Sequence, residues 1–174
     1  RFCSSGLNAV SIAADRIRTG EADVMIAAGA ESMSMIPMLG RLSLNAEVFA
    51  ENENLGIAYG MGLTAEKVAE RWKVSRGDQD AFAAASHQKA LAAQAAGEFD
   101  AEVTPFPIRE HHPDLAAGKI VTRSRKVERD EGPRPETTVE GLGKLKPVFA
   151  ARGSVTAGNS SQMSDGAGAV LVVS

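Results

Sequence analysis

The chain holds one cysteine, Cys3, followed by Ser4, Ser5 and Gly6 and then by an apolar run. A thiol at the start of a helix meets main-chain N–H groups without intrahelical partners and the positive end of the helix dipole. Both favour the thiolate, which is the form that attacks carbon. The small residues after Cys3 leave the sulfur reachable, and Gly6 lets another backbone come close. The chemistry on offer is nucleophilic catalysis through a covalent intermediate. The competing reading is a buried structural cysteine, because free cysteine is among the most buried residue types. Such catalysis also needs a base, and no residue near Cys3 in sequence supplies one.

Residues 158–168, GNSSQMSDGAG, form a second candidate. The segment is small and rich in donors, which suits a polar wall along a ligand or a plain turn into a strand. It lacks the Gly-Lys-Ser/Thr ending of a P-loop, and the chain has no GxGxxG, so neither common phosphate cradle is supported. The three histidines point elsewhere. His87 lies on the polar side of a long helical stretch and reads as solvated. His111 and His112 precede Pro113, beside Glu110 and Asp114, in what reads as a loop. A metal could be imagined there, but without CxxC or HExxH the pair reads as polar surface. No resident metal is expected.

The elements that must position these groups follow from periodicity. Residues 4–19 carry apolar residues at helical spacing, with Ser4 or Ser5 as N-cap and Gly20 as the stop. Residues 23–28, DVMIAA, read as a buried strand of a parallel sheet. From 32 to 60 the chain has three methionines, several glycines and no period, and irregular structure with short helices is expected. Residues 62–72 are amphipathic around Leu63, Val68 and Trp72. Ser75-Arg-Gly-Asp78 has the form of a helix start, and an alanine-rich helix runs on to a stop at Gly97. Short extended pieces fill 98–131, a short helix is expected near Val139–Leu145, and a strand at Ala169–Val173. The fold class is therefore α/β, with pieces at 1–31 and 153–174 flanking a largely helical and irregular insert, 32–152, of a size that carries function or covers a site.

Bulk properties exclude several classes. With 44% apolar and 24% charged residues over 174 positions the chain is an ordinary globular domain. A formal charge of −3 gives no reason to expect nucleic-acid or membrane-surface partners. No apolar run approaches a bilayer span. A single cysteine rules out an internal disulfide and fits a reducing, cytoplasmic setting, with an organelle left open. No signal peptide is seen. The chain begins without Met one step from its most reactive residue and ends in AGAVLVVS, inside a strand, so an internal piece of a longer protein is expected.

Eight blocks then fall in order: CSSGLNA at 3–9, GAESM at 29–33, MGLTAE at 61–66, SRGDQD at 75–80, RPETT at 134–138, LKPVF at 145–149, TAGNSSQ at 156–162 and DGAGA at 165–169. The series resembles the thiolase family, and most of all the 3-ketoacyl-CoA thiolases (acetyl-CoA acyltransferases), over a central stretch a little under half a family member. The resemblance implies part of the N-terminal half of a layered αβαβα fold at 1–31 and 153–174, with 32–152 as a loop domain covering coenzyme A. It implies that Cys3 is the acylated nucleophile. Ser161 would contact the pantetheine arm of CoA, Arg134 would lie near its nucleotide end, and Phe149 and Met61 would line the pantetheine tunnel. CoA and acyl-CoA are substrates, and no cofactor is held permanently. A homodimer or homotetramer is implied for the whole protein.

The resemblance also implies an activating His, a second Cys and an Asn-Glu-Ala-Phe segment, and this chain has no second Cys. Where some short-chain members carry His-Met, it has Gly60-Met61. More room beside the pocket points to broad-chain, degradative thiolysis of 3-ketoacyl-CoA, as in fatty-acid β-oxidation. The alternatives are a biosynthetic acetoacetyl-CoA thiolase, a thiolase-like acyl-CoA or sterol binder without turnover, and, in another class, a structural or interaction piece. The isolated stretch is expected to be inactive and prone to associate through its sheet edges.

Overall fold

The computed structural model describes residues 1–36, 45–50, 56 and 60–174, with the side chains of residues 48 and 49 excepted. The chain divides into two compact units, Arg1–Ala50 with Gln162–Ser174, and Glu51–Ser161. These bounds fall at 50/51 and 161/162, beside the 31/32 and 152/153 expected from sequence.

In the first unit a 3-10 turn, Phe2–Ser4, leads into helix α1, Ser5–Arg18. Ser4 occupies the N-cap position but does not cap with its side chain. Its φ of −93° and ψ of 3° lie outside the extended region that aims a cap hydroxyl at the first-turn amides. The hydroxyl instead donates to the Arg1 carbonyl at 2.8 Å. The expected stop is present. Gly20, at φ +78°, takes the left-handed position, and the Gly20 and Glu21 N–H groups close back on the Ile17 and Arg16 carbonyls.

Strand β1, Val24–Glu31, pairs with the last strand of the chain, Gly166–Val173, and the pairing is antiparallel, from Val24↔Val173 to Glu31↔Gly166. The expectation of a parallel, fully buried strand is corrected on both counts. A near-continuous apolar run reports which faces a strand can bury, and it carries no information about the partner's direction. Alternation puts Met25 and Ala27 on one face with Val172 and Val170. That face is the one α1 packs on, and Ala27 is buried there, as is Ala13 of the helix. Val24, Ile26, Leu171 and Val173 share the other face and are 57–69% exposed. Beyond β1, the Ser34 hydroxyl and N–H both donate to Asp165, tying the segment after β1 to the one before the final strand. These bonds, the Ser34 hydroxyl's first, with a smaller one from the Met33 N–H, hold the Asp165 carboxyl below its ordinary range against slight burial.

The second unit starts with α2, Met61–Trp72, and α3, Arg76–Ala95. Ser75 and Asp78 form the expected capping box, the Ser75 hydroxyl accepting from the Asp78 N–H and the Asp78 carboxylate from the Ser75 N–H. Gly97, at φ +73°, ends the helix. The extended pieces of 98–131 join into one hairpin, β2 Phe106–Asp114 and β3 Lys119–Val127. His111 and His112 therefore lie in a strand and not in a loop. His111 Nδ1 faces Thr122 Oγ1 across the pair at 3.0 Å, and His112 Nε2 lies 3.4 Å from Glu110. A short α4, Val139–Gly143, is capped by Thr138. The final strand is β4, completing the order α1, β1, α2, α3, β2, β3, α4, β4. Of the 32–60 stretch, a 3-10 turn at Ala46–Phe49 is described, and the expectation for 37–44, 51–55 and 57–59 lies outside the described residues.

Candidate active site

Cys3 is exposed, so the buried-cysteine reading does not hold in the described chain. It sits in the middle of the 3-10 turn that delivers the chain to α1. Phe2, one residue before it, adopts φ +51°, a left-handed conformation that is costly for an aromatic residue. No serine side chain caps α1, and the Ser4 and Ser5 N–H groups close the turn that carries the thiol on the Arg1 and Phe2 carbonyls.

The first part of the Gly/Ser-rich segment, through Ser161, belongs to the second unit, and polar side chains of α2 and α3 hold residues 154–159. The Glu66 carboxylate accepts from the Ser154 N–H at 2.9 Å and the Val155 N–H at 2.9 Å, with the Ser154 hydroxyl at 3.2 Å. Burial alone would raise this carboxyl. The two main-chain donors and the hydroxyl outweigh it and hold the group below the ordinary glutamate range. Buried Asp80 accepts from the Arg76 guanidinium at 2.7 Å and from Asn159 Nδ2 at 3.0 Å. The Asn159 oxygen accepts from the Thr156 N–H at 2.7 Å. Thr156, wholly buried, turns its hydroxyl onto the Gly158 and Asn159 N–H groups. Gly158 is required by packing, since a Cβ there would lie 2.5 Å from both Leu142 Cδ2 and Leu145 Cδ1. Ser160 is directed inward and donates to the Thr156 carbonyl at 2.6 Å. Ser161 follows it at the exposed end of the loop.

The other three expected residues lie in the same unit. Met61, 67% exposed, is the first residue of α2. The Phe149 ring packs on Gly62, the next residue, so closely that a Cβ at 62 would overlap it. Phe149 therefore packs at the start of α2, against the residue that follows Met61. Arg134 is exposed, and its N–H donates to His87 Nδ1 at 3.1 Å. His87 is therefore not the solvated residue read from sequence, because it is half-buried and bonded to the segment that carries Arg134.

A cleft of about 580 Å³ lies between one face of α2 and residues 150–154, lined by Leu63, Lys67, Glu70, Val74 and Arg152 among others. It includes none of Cys3, Ser161, Arg134, Phe149 or Met61. No cluster of three or more metal-ligating side chains occurs among the described residues. No helix among them is long and apolar enough to cross a membrane.

Sequence reasoning missed Glu66, Arg76, Asp80 and Asn159 as loop-holding groups, and His87 as the partner of Arg134. One signal was available, since Arg76 and Asp80 stand at i,i+4 on an otherwise alanine-rich helix. The bonds of Glu66 and His87 join residues 88 and 47 positions apart, which no local pattern reports.

The model of the thiolase N-terminal domain matches residues 1–174. The chain is 46% identical over 172 residues to the human peroxisomal 3-ketoacyl-CoA thiolase, covering 99% of this chain and 39% of that protein. It is 44% identical over 178 residues to the 3-ketoacyl-CoA thiolase of Bacillus subtilis (strain 168), covering 99% of this chain and 44% of that one. Among solved structures, the dimeric peroxisomal thiolase of Saccharomyces cerevisiae superposes with a TM-score of 0.74 at 41% identity, over 98% of this chain and 41% of that one. The chain thus spans less than half the length of these relatives. From an exposed Cys3 at a helix start to a braced Gly/Ser-rich loop, with the α/β fold of the yeast enzyme, the chain belongs to the thiolase family and matches its N-terminal domain along its whole length.

Proposed function

We propose that the whole protein is an acetyl-CoA C-acyltransferase that cleaves 3-ketoacyl-CoA by thiolysis. The observation that carries this reading is the exposed Cys3 at the uncapped start of α1, in a chain whose relatives are named 3-ketoacyl-CoA thiolases. The Cys3 thiolate attacks the C3 ketone. The C2–C3 bond breaks, and its electron pair leaves as the enolate of acetyl-CoA, which takes a proton from an acid outside this chain. The acyl group remains on Cys3 as a thioester. The thiolate of a second CoA attacks the thioester carbonyl, forms the shortened acyl-CoA and frees Cys3. Dividing one difficult cleavage into two acyl transfers is the gain of covalent catalysis. Main-chain N–H groups at the α1 start are the donors this reading assigns to the developing oxyanion.

Coenzyme A is held, in this reading, by Ser161, Arg134, Phe149 and Met61, with residues 32–152 covering it. The inward bond of Ser160 supports Ser161 as the serine that meets the pantetheine arm. The contact of Phe149 with Gly62 supports an apolar wall beside Met61. CoA is a substrate here and not a resident cofactor. The yeast relative is dimeric, and a homodimer is proposed for the whole protein. Several relatives are named peroxisomal, so the cytoplasmic expectation widens to cytoplasm or peroxisome.

The test is the intact mass of the full-length protein after brief exposure to a 3-ketoacyl-CoA, repeated with Cys3→Ala. A thioester adduct that requires Cys3 is the expected result. Retained CoA binding with no adduct would establish a binding protein in place of an enzyme.

A further inference from the structure

Helix α3 carries a polar ridge. Arg76, Asp80, His87 and Gln94 recur at intervals of four and seven, so they share one face. Each bonds to a segment outside the helix. Arg76 donates to the Leu142 and Leu145 carbonyls, Asp80 accepts from Asn159, His87 accepts from Arg134, and Gln94 donates to the Asp130 carbonyl. The ridge therefore fastens the 130–145 segment and the 154–159 loop to one rigid element. The His87 bond is singular because of its partner's neighbours. Arg134 stands between Pro133 and Pro135, neither of which has an N–H. Its own N–H is the single main-chain donor of that tripeptide, and His87 takes it at 3.1 Å. The prolines also restrict the backbone on both sides, so holding this one donor fixes where the Arg134 side chain departs. That side chain is exposed, and its guanidinium makes no ion pair among the described residues.

We propose that His87 is a positioning residue for coenzyme A, acting through the main chain of Arg134 to aim the guanidinium at the nucleotide end of the ligand. This rests on the assignment of Arg134 as a CoA contact made above. To accept from an N–H, Nδ1 must carry no proton, so the ring is neutral with its proton on Nε2. Asparagine places an oxygen where Nδ1 stands, and leucine fills similar space with no acceptor. The two substitutions therefore separate the bond from the bulk.

The test is steady-state thiolysis by the full-length protein with CoA and, separately, with pantetheine, which has the same thiol arm and no nucleotide. Arg134→Ala is expected to raise KM for CoA and leave KM for pantetheine unchanged. His87→Leu is expected to raise KM for CoA by about three- to tenfold, the scale of one lost hydrogen bond, with kcat at saturating CoA and KM for pantetheine held. His87→Asn should restore most of the loss. If Arg134→Ala raises KM for CoA while His87→Leu does not, the positioning role is wrong and the Arg134 assignment stands. An equal rise for pantetheine in His87→Leu would make the residue merely structural, and failure of His87→Asn to recover would exclude the acceptor role. If Arg134→Ala changes nothing, the assignment of Arg134 falls and the inference falls with it.

Discussion

Asn159 Nδ2 donates to Asp80 Oδ1 at 3.0 Å, and this bond joins the Gly/Ser-rich loop to the interior of α3. Asp80 is 2% exposed, and its other oxygen meets the Arg76 guanidinium at 2.7 Å. Its charge is buried and fully partnered. Asp80→Ala leaves the Asn159 amide with fewer acceptors and a half-buried guanidinium without its carboxylate. Removing one member of such a pair costs about 3–5 kcal/mol, more than a surface bridge by several-fold. Denaturant unfolding of the full-length protein should show a loss on this scale for Asp80→Ala. Lys126→Ala, which removes an exposed pair with Glu128, should cost less than about 1 kcal/mol. Equal losses would show that the pair at Asp80 does not brace the loop.

Glu66 gives the loop an acid-sensitive tether. Its carboxyl is held below the ordinary value, so below that value the unfolded chain binds the proton more readily than the folded one. The contribution is fully present above the ordinary glutamate value of about 4.3 and is lost as pH falls through the lowered folded value. Unfolding free energy should therefore fall on acidification in this window, and the fall should be shallower in Glu66→Gln. An identical acid slope in the two proteins would show that Glu66 titrates alike in folded and unfolded states.

The local parts of the fold were legible in the sequence. The Ser75/Asp78 capping box, the stops at Gly20 and Gly97 and the short helix after Thr138 all depend on neighbours a few residues apart. The strand partner was not legible, because Val24 to Ala28 supplies apolar side chains whichever way the partner runs. Nor was the placement of His111 and His112. A run with two histidines and a proline reads as a turn until the cross-strand register with Lys119–Val127 is known. At the site, the place of Cys3 before a helix was legible, and the structure has it exposed there. The bonds of Glu66 and Asp80 to the 154–159 segment, and of His87 to Arg134, join distant segments, and only the i,i+4 spacing of Arg76 and Asp80 left a local trace.

Gly62 carries a prediction about substrate fit. Phe149 lies against its Cα, and an added Cβ would overlap the ring. Gly62→Ala must therefore move Phe149 or the first turn of α2, and Met61 goes with that turn. On the proposed thiolysis, the full-length variant should show a raised KM for 3-ketoacyl-CoA substrates, while the acylated cysteine still forms at saturating substrate. Gly143→Ala is a control on a helix glycine with open space around it. Unchanged kinetics in Gly62→Ala would mean that Phe149 does not line the substrate path.

The uncovered face of the β1–β4 pair should govern the behaviour of residues 1–174 expressed alone. Val24, Ile26, Leu171 and Val173 are each more than half exposed and lie together on one face of a two-stranded sheet. A contiguous apolar patch beside unpaired strand edges is a site of self-association. Sedimentation velocity at tens of micromolar should find oligomers, growing with concentration. Ile26 and Leu171 are direct cross-strand partners, so Ile26→Lys with Leu171→Glu places opposite charges side by side on that face. The double variant should shift the population towards monomer and leave the circular dichroism of the helices unchanged. Association that persists undiminished would put the sticky surface elsewhere, with the exposed face of α2 around Val68 and Trp72 the next to alter.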